Sequence, residues 1–67
     1  MYITIYFKNG SQLKLTSTDG EHLGNKFEAY LRNPGGNNRP AAIRYGNDGS
    51  DDRELIVDLD SVTAIDY

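Results

Sequence analysis

The chain has 67 residues, of which 37% are hydrophobic and 25% are charged, a composition typical of one small globular domain. It contains no cysteine, which excludes a disulfide scaffold, a thiolate metal site and cysteine catalysis. Its net charge of -3 argues against general affinity for nucleic acid. No apolar run approaches the roughly 18 residues of a membrane span, and no signal peptide is recognised. We therefore expect a cytoplasmic protein that contacts neither nucleic acid nor membrane.

The small size of the chain predicts self-association. A single core below about 70–80 residues rarely supplies more than ~3–5 kcal/mol of stability without a disulfide, a metal or a partner. Disulfides are impossible here, and the sequence indicates neither a structural metal nor a cofactor. We therefore expect a homo-oligomer.

The first two strands are predicted to form a hairpin. Residues 2–7 are rich in β-branched and aromatic types, and residues 12–16 alternate polar and apolar side chains. A three-residue loop with Gly10 in the left-handed bulge position is the only connection that gathers the aliphatic side chains on one face. In that register Ile5 lies opposite Leu13, and Ile3 lies opposite Leu15.

The other face of this hairpin carries Tyr2 and Tyr6 in a polar field. Strands favour tyrosine wherever it lies, so one interpretation is that both are ordinary sheet residues. The alternative is that they pack under a neighbouring subunit or stack against a ligand. Tyr2 and Tyr6 are therefore candidate partner-binding residues.

A helix is predicted over residues 19–32. Thr18 followed by Glu21 fits a capping box, and the run Asn33-Pro34-Gly35 ends the helical pattern. The apolar stripe of this helix is predicted to cover the aliphatic face of the sheet. Its members are Leu23, Phe27, Tyr30 and Leu31.

Three further strands are predicted at residues 41–46, 53–59 and 62–66. In the middle one, Val57 points inward and Ile56 points outward. The order ββαβββ indicates an α+β fold with an antiparallel sheet and one helix packed on it. A small open barrel wrapped round the helix is the alternative architecture.

Basic and acidic residues are unevenly placed along the chain. Residues 1–47 hold six bases and three acids, whereas residues 48–67 hold seven acids and one base. Arginine makes planar bidentate contacts to phosphate, and glycine-rich backbone donates N–H groups, so the loop before the third strand is a candidate anion site. Its candidate ligand-binding residues are Arg32, Asn37, Arg39, Arg44 and Tyr45. The alternative is that these arginines pair with the acidic C-terminal strands.

Acidic residues suggest a different function, that of an inhibitor whose carboxylates imitate the phosphates of nucleic acid. Asp58 and Asp60 share one face of their strand and are candidate partner-binding residues. Residues 47–52 are rich in oxygen ligands but lack the order of an EF-hand, so a solvated turn is predicted there. His22 is the only histidine, and no serine has an evident base partner, so we predict that the protein is not an enzyme.

The chain opens with "MYITIYFKNGSQLKL" and closes with "ELIVDLDSVTAID", and a hairpin, a helix and closing strands take up its whole length. In this style it resembles small accessory proteins of phages and mobile elements. The resemblance implies action against host defence, by sequestering a nucleotide signal or by blocking a protein effector. We therefore expect a homo-oligomeric binder of a phosphate-bearing, nucleotide-like ligand, with a protein-binding inhibitor and a structural assembly subunit as alternatives.

Overall fold

A computed structural model describes residues 2–36, 39–46 and 51–67. The predicted order ββαβββ is confirmed, with a short 3₁₀ helix, Leu59–Ser61, before the last strand. The strands are β1 Tyr2–Phe7, β2 Gln12–Thr16, β3 Pro40–Tyr45, β4 Arg53–Asp58 and β5 Val62–Asp66, and the helix is α1 Gly20–Arg32. Within the described residues, no helix combines the length and the apolar character that crossing a membrane requires.

The five strands form two antiparallel sheets that share one core with the helix. One sheet has the strand order β2-β1-β5, and the other pairs β3 with β4. The N–H of Gly46 donates to the carbonyl of Thr16 at 3.0 Å and joins the end of β3 to the end of β2. The predicted antiparallel strands with one helix packed on them are therefore confirmed, and the strands are divided between a three-stranded and a two-stranded sheet.

The predicted bulged hairpin is also confirmed. Ile5 lies opposite Leu13, and Ile3 lies opposite Leu15. Gly10 has a φ of 90°, in the left-handed region that favours glycine, and its N–H donates to the carbonyl of Phe7 at 3.0 Å. The alternation of apolar side chains was therefore sufficient to predict the turn type, because a slip of one residue would have placed Leu13 and Leu15 on the face opposite to Ile3 and Ile5.

The predicted capping box at the start of α1 is wrong. The N-cap residue is Asp19, and its side chain makes no capping hydrogen bond. Instead, the Asp19 carboxylate accepts from the N–H of Arg44 at 3.0 Å, and the hydroxyl of Thr18 donates to the Asp51 carboxylate. These contacts with β3 and the chain before β4 replace the local cap, which a sequence pattern of four residues cannot reveal.

The core lies between the helix and the two sheets. Leu23, Phe27 and Tyr30 are buried as predicted, but Leu31 is 60% exposed, so its assignment to the stripe is wrong. With 3.6 residues per turn, Leu31 lies roughly 80° round the helix from Leu23, which places it at the margin of the buried face. The remaining buried apolar residues are Ile3, Ile5, Leu15, Ala41, Ile43, Val57, Leu59 and Val62.

Gly24 allows the ring of Tyr67 to lie directly against the helix. A Cβ atom at position 24 would stand 2.6 Å from the Cζ atom of Tyr67. Glycine weakens an isolated helix by about 1 kcal/mol relative to alanine. The close approach of the Tyr67 ring therefore explains why glycine, despite its low helix propensity, stands at position 24.

Candidate functional site

A cleft of about 780 Å³ opens between β2 and the adjoining ends of β3 and β4. We call it the tyrosine cleft, because two tyrosine rings line it. Its lining residues are Tyr2, Leu13, Lys14, Leu15, Thr16, Tyr45, Gly46, Asp52, Arg53 and Leu55.

Each tyrosine of the cleft lies next to a basic side chain. The Nζ atom of Lys14 is 5.3 Å from the centroid of the Tyr2 ring. The Cζ atom of Arg53 is 5.5 Å from the centroid of the Tyr45 ring. Both distances fall within the ~6 Å range of cation–π contacts. The cleft therefore presents two aromatic rings together with two positive charges.

Strand register explains why these side chains meet. Tyr45 lies directly opposite Arg53 in the ladder of β3 and β4. Tyr2 lies opposite Thr16, and Lys14 is the next residue of β2 on the same face. Directly opposite and diagonal neighbours on one face of a sheet are close enough for long side chains to touch. Each tyrosine–cation pair is thus produced by strand pairing.

Leucine side chains contribute an apolar part to the wall of the cleft. Leu13 is 37% exposed, and Leu55 is partly buried against the core. An apolar surface with a few polar groups at its margin is the usual character of a small-molecule site. Two bases and one acid, Asp52, belong to the described lining, so its formal charge is positive although the chain as a whole is acidic.

The predicted anion-binding arginines are not brought together. Arg39 precedes β3 and Arg44 lies near its other end, so their Cα atoms are roughly 16 Å apart at about 3.3 Å per residue. The Nε of Arg44 donates to the carbonyl of Asp51 at 3.1 Å, and Arg32 pairs with Glu28 of its own helix at 3.0 Å. Of the predicted set, Tyr45 lines the tyrosine cleft. Asn37 lies outside the described residues.

Arg39 instead joins a cluster with three other residues, which we call the arginine–aspartate cluster: Tyr30, Arg39, Asp58 and Asp60. The Nε of Arg39 is 3.0 Å from the Asp58 carboxylate, and a second nitrogen is 3.8 Å from Asp60. The hydroxyl of Tyr30 donates to Asp60 at 2.6 Å. The alternative interpretation, in which arginines pair with the acidic C-terminal strands, is therefore confirmed for Arg39.

Contacts within this cluster shift the pKa values of three of its members, Asp58, Arg39 and Tyr30. The hydrogen bond from Arg39 lowers the pKa of Asp58, with a further contribution from the N–H of Asp60. Hydrogen bonding to Asp58 raises the pKa of Arg39. Hydrogen bonding to Asp60 raises the pKa of the Tyr30 hydroxyl, because ionisation would place a second negative charge beside the carboxylate.

The lowered pKa of Asp58 predicts a dependence of stability on acid. Because the folded-state pKa lies below the unfolded value of about 3.9, Asp58 stabilises the fold at neutral pH. That contribution is lost as the pH falls through the folded-state pKa. We expect the melting temperature of the Asp58→Asn variant to fall less steeply below about pH 5 than that of the wild type. The difference should be small and should shrink in high salt, because the pair is about half exposed.

A matched control is Asp66→Asn, which removes an exposed carboxylate of β5 outside the cluster. It should retain the steeper acid dependence of the wild type. Thermal unfolding followed by circular dichroism across the acid range measures all three proteins. Identical slopes for the wild type and Asp58→Asn would contradict the assignment.

The candidate partner-binding residues occupy two places in the fold. Tyr2 is 67% exposed and lines the tyrosine cleft, whereas Tyr6 is exposed on the same strand outside the described lining of the cleft. Asp58 and Asp60 belong to the arginine–aspartate cluster. The tyrosines and the aspartates therefore do not form a single surface.

Sequence reasoning did not include Lys14 and Arg53 among the site residues. A usable signal was present for Lys14, because the predicted hairpin register places it on the face that carries Tyr2. The pairing of Arg53 with Tyr45 was harder to find, since it depends on the register of β3 and β4 across a long loop.

No group of three or more potential metal ligands is found among the described residues. Residues 47–50, which belong to the oxygen-rich stretch predicted to be a solvated turn, lie outside the described residues. Comparisons with family models, with curated protein sequences and with solved structures found no match to this chain. The geometry of the site is therefore the basis for the functional proposal.

Proposed function

We propose that this protein is a non-enzymatic binding protein that holds a phosphate-bearing, nucleotide-like molecule in the tyrosine cleft. The observation that carries the proposal is the presence of two tyrosine–cation pairs, Tyr2 with Lys14 and Tyr45 with Arg53, in one cleft. A ligand with a planar ring and an anionic group matches both features of these pairs.

The aromatic part of such a ligand stacks on a tyrosine ring or on the guanidinium plane of Arg53. Stacking of a base on an aromatic side chain contributes about 1–3 kcal/mol and tolerates different bases. The apolar wall formed by Leu13 and Leu55 covers the edge of the ring and excludes water from it. This part of the site supplies affinity with little selectivity among bases.

The phosphate is held by Lys14 and Arg53. Arginine offers a planar fork that matches phosphate oxygens, and lysine adds a mobile point charge. Both cations are already positioned over tyrosine rings, so fewer side-chain rotations are lost when the ligand binds. The cleft volume of about 780 Å³ lies within the range of roughly 300–1,000 Å³ that is usual for small-molecule sites.

The cleft is preferred to the acidic strands as the binding surface for a specific reason. Asp58 already accepts from Arg39, and Asp60 accepts from Tyr30, so these carboxylates have partners within the chain. These internal contacts take up part of each carboxylate and offset part of the negative charge, which makes the pair a weaker imitation of phosphates. In the cleft, Lys14 and Arg53 contact only ring faces in these pairs, and both side chains are exposed to a ligand.

Sequestration is the biological role that fits a binder without chemical conversion. The described lining of the cleft contains no histidine and a single carboxylate. Together with the resemblance to phage accessory proteins, this supports a protein that counters host defence by removing a nucleotide-like signal from solution.

Calorimetric titration with three probes tests the proposal: adenosine monophosphate, adenosine and ribose phosphate. We expect the monophosphate to bind more tightly than either fragment, because only it uses both the rings and the cations. Tyr45→Ala and Lys14→Ala should each weaken its binding by about tenfold or more, the change expected when about 1.4 kcal/mol of stacking or ion pairing is lost.

Matched controls separate the cleft from general surface effects. Tyr6→Ala removes an exposed tyrosine of β1, the strand that carries Tyr2, and Lys8→Ala removes an exposed lysine of the hairpin loop. Both residues lie outside the described lining of the cleft, so both variants should bind like the wild type. Equal weakening by the cleft variants and the controls, or no binding of any probe, would contradict the proposal.

A further inference from the structure

We infer that a second copy of this chain docks on the outward surface of the β3–β4 ladder, forming a two-fold symmetric dimer. We call this surface the outer face. All its residues are exposed; they are Pro40, Ala42, Arg44, Glu54, Ile56 and Asp58. The inference is independent of the tyrosine cleft, because none of these residues belongs to the described lining of the cleft.

An unprotected aliphatic residue lies at the centre of the outer face. Ile56 is 70% exposed, and its cross-strand neighbour Ala42 is too small to cover it. The opposite face of the same ladder is already buried in the core through Ala41, Ile43 and Val57. The centre of β4 thus carries apolar residues on both faces, with Ile56 outward and Leu55 and Val57 inward, a pattern that favours cover over Ile56 as well.

Opposite charges lie side by side at one end of this face without pairing to each other. Arg44 and Glu54 are direct cross-strand neighbours, yet no ion pair joins them. The Nε of Arg44 donates to the backbone carbonyl of Asp51 at 3.1 Å, and the residue is exposed. Within the described residues, the Glu54 carboxylate has no hydrogen-bond or ion-pair partner. Both side chains are therefore available to a second molecule.

Charge complementarity selects one arrangement of the two copies. With the two-fold axis parallel to the strands, β4 of one protomer lies over β3 of the other. Glu54 then faces Arg44 of the second copy, reciprocally, and Ile56 faces Ala42. With the axis perpendicular to the strands, Glu54 would face Asp58 of the second copy and repel it. The self-complementary pattern therefore supports a second copy as the occupant.

The size of the outer face predicts a weak dimer. Six-residue strands spaced ~4.8 Å apart make a face about 20 Å long and about 10 Å wide. Such a face offers about 200 Å² on each partner, well below the roughly 800 Å² that each partner of a standard complex buries, so association through it is weak and transient. We therefore expect dissociation in the micromolar range or above. At high protein concentration the dimer supplies the additional burial that a chain of 67 residues requires.

Sedimentation velocity over a wide range of protein concentrations measures the dimerisation of the wild type and of two variants with reversed charges on the outer face. Glu54→Arg and Arg44→Glu should each weaken the dimer at least tenfold, because each places like charges opposite one another. An equimolar mixture of the two variants should restore association, since every contact across that interface again joins opposite charges. Ile56→Thr, which keeps a β-branched residue in the strand, should also weaken the dimer, whereas Leu31→Thr on the exposed side of α1 should not.

Thermal unfolding followed by circular dichroism identifies any variant that is not folded. If a charge-reversed variant does not fold, the loss of dimer in Ile56→Thr tests the same face. A wild type that stays monomeric at every concentration would overturn the inference. So would a dimer that persists in the charge-reversed variants, because association would then use another surface. Titration with adenosine monophosphate tests the tyrosine cleft separately, so failure of the dimer does not affect that proposal.

Discussion

Replacing Leu23 with alanine is expected to leave much of the protein unfolded at room temperature. Leu23 is fully buried at the centre of the helix face that packs on the sheets. Removing such a side chain costs about 2–5 kcal/mol, because the lost burial is compounded by the cavity left behind. A single core in a chain this short supplies only ~3–5 kcal/mol in total. The substitution therefore removes most of the stability margin.

The matched control is Leu31→Ala on the same helix. Leu31 is 60% exposed, so this variant should change the free energy of unfolding by less than about 0.5 kcal/mol. Urea denaturation followed by circular dichroism measures both variants at one protein concentration, which keeps any contribution from self-association constant. Similar losses in the two variants would contradict the assignment of the buried face.

The second large effect is expected from Ser17→Ala. Ser17 is the buried polar side chain among the described residues, and it holds three segments together. Its hydroxyl donates to the carbonyl of Arg44 at 2.5 Å and accepts from the N–H of Asp19 at 2.9 Å. Alanine leaves a backbone acceptor and a backbone donor without these partners, which costs about 1–3 kcal/mol.

Ser11→Ala provides the same chemical change at an exposed position. The Ser11 hydroxyl donates to the side chain of Asn9 at 2.6 Å within the hairpin loop, where water can replace the bond. We expect this control to lose less than about 0.5 kcal/mol. Chemical denaturation of both variants checks the prediction. A Ser17→Ala variant as stable as Ser11→Ala would show that the hydroxyl does not join the end of β2 to β3.

Sequence reasoning predicted the parts of the fold that depend on local pattern. The alternation of apolar residues fixed the hairpin register, including the left-handed conformation of Gly10. It placed the start of α1 to within one residue but not its capping contacts, because Thr18 and Asp19 bond to residues far away in the chain. The division of the strands into two sheets was also missed. Alternation shows which face of a strand is buried, but it does not show which strands pair with each other.

The candidate site was predicted only in part for the same reason. Tyr2 and Tyr45 were recognised as aromatic candidates, and both line the cleft. Arginine clustering along the sequence suggested an anion site, but Arg39 precedes β3 and Arg44 lies near its other end, which holds the two apart. The cations that do meet the tyrosines, Lys14 and Arg53, come from opposite halves of the chain. Their convergence is a property of the tertiary structure.

The most direct test of ligand binding in the tyrosine cleft is a titration of nitrogen-15-labelled protein with adenosine monophosphate, followed by amide chemical shifts. We predict shifts that saturate with ligand and concentrate on the cleft segments of β2, β3 and β4, around Lys14, Tyr45 and Arg53. The same titration of the Tyr45→Ala variant should require about tenfold more ligand. Saturating shifts centred on Arg39 and Asp58, or no shifts at all, would contradict the proposed site.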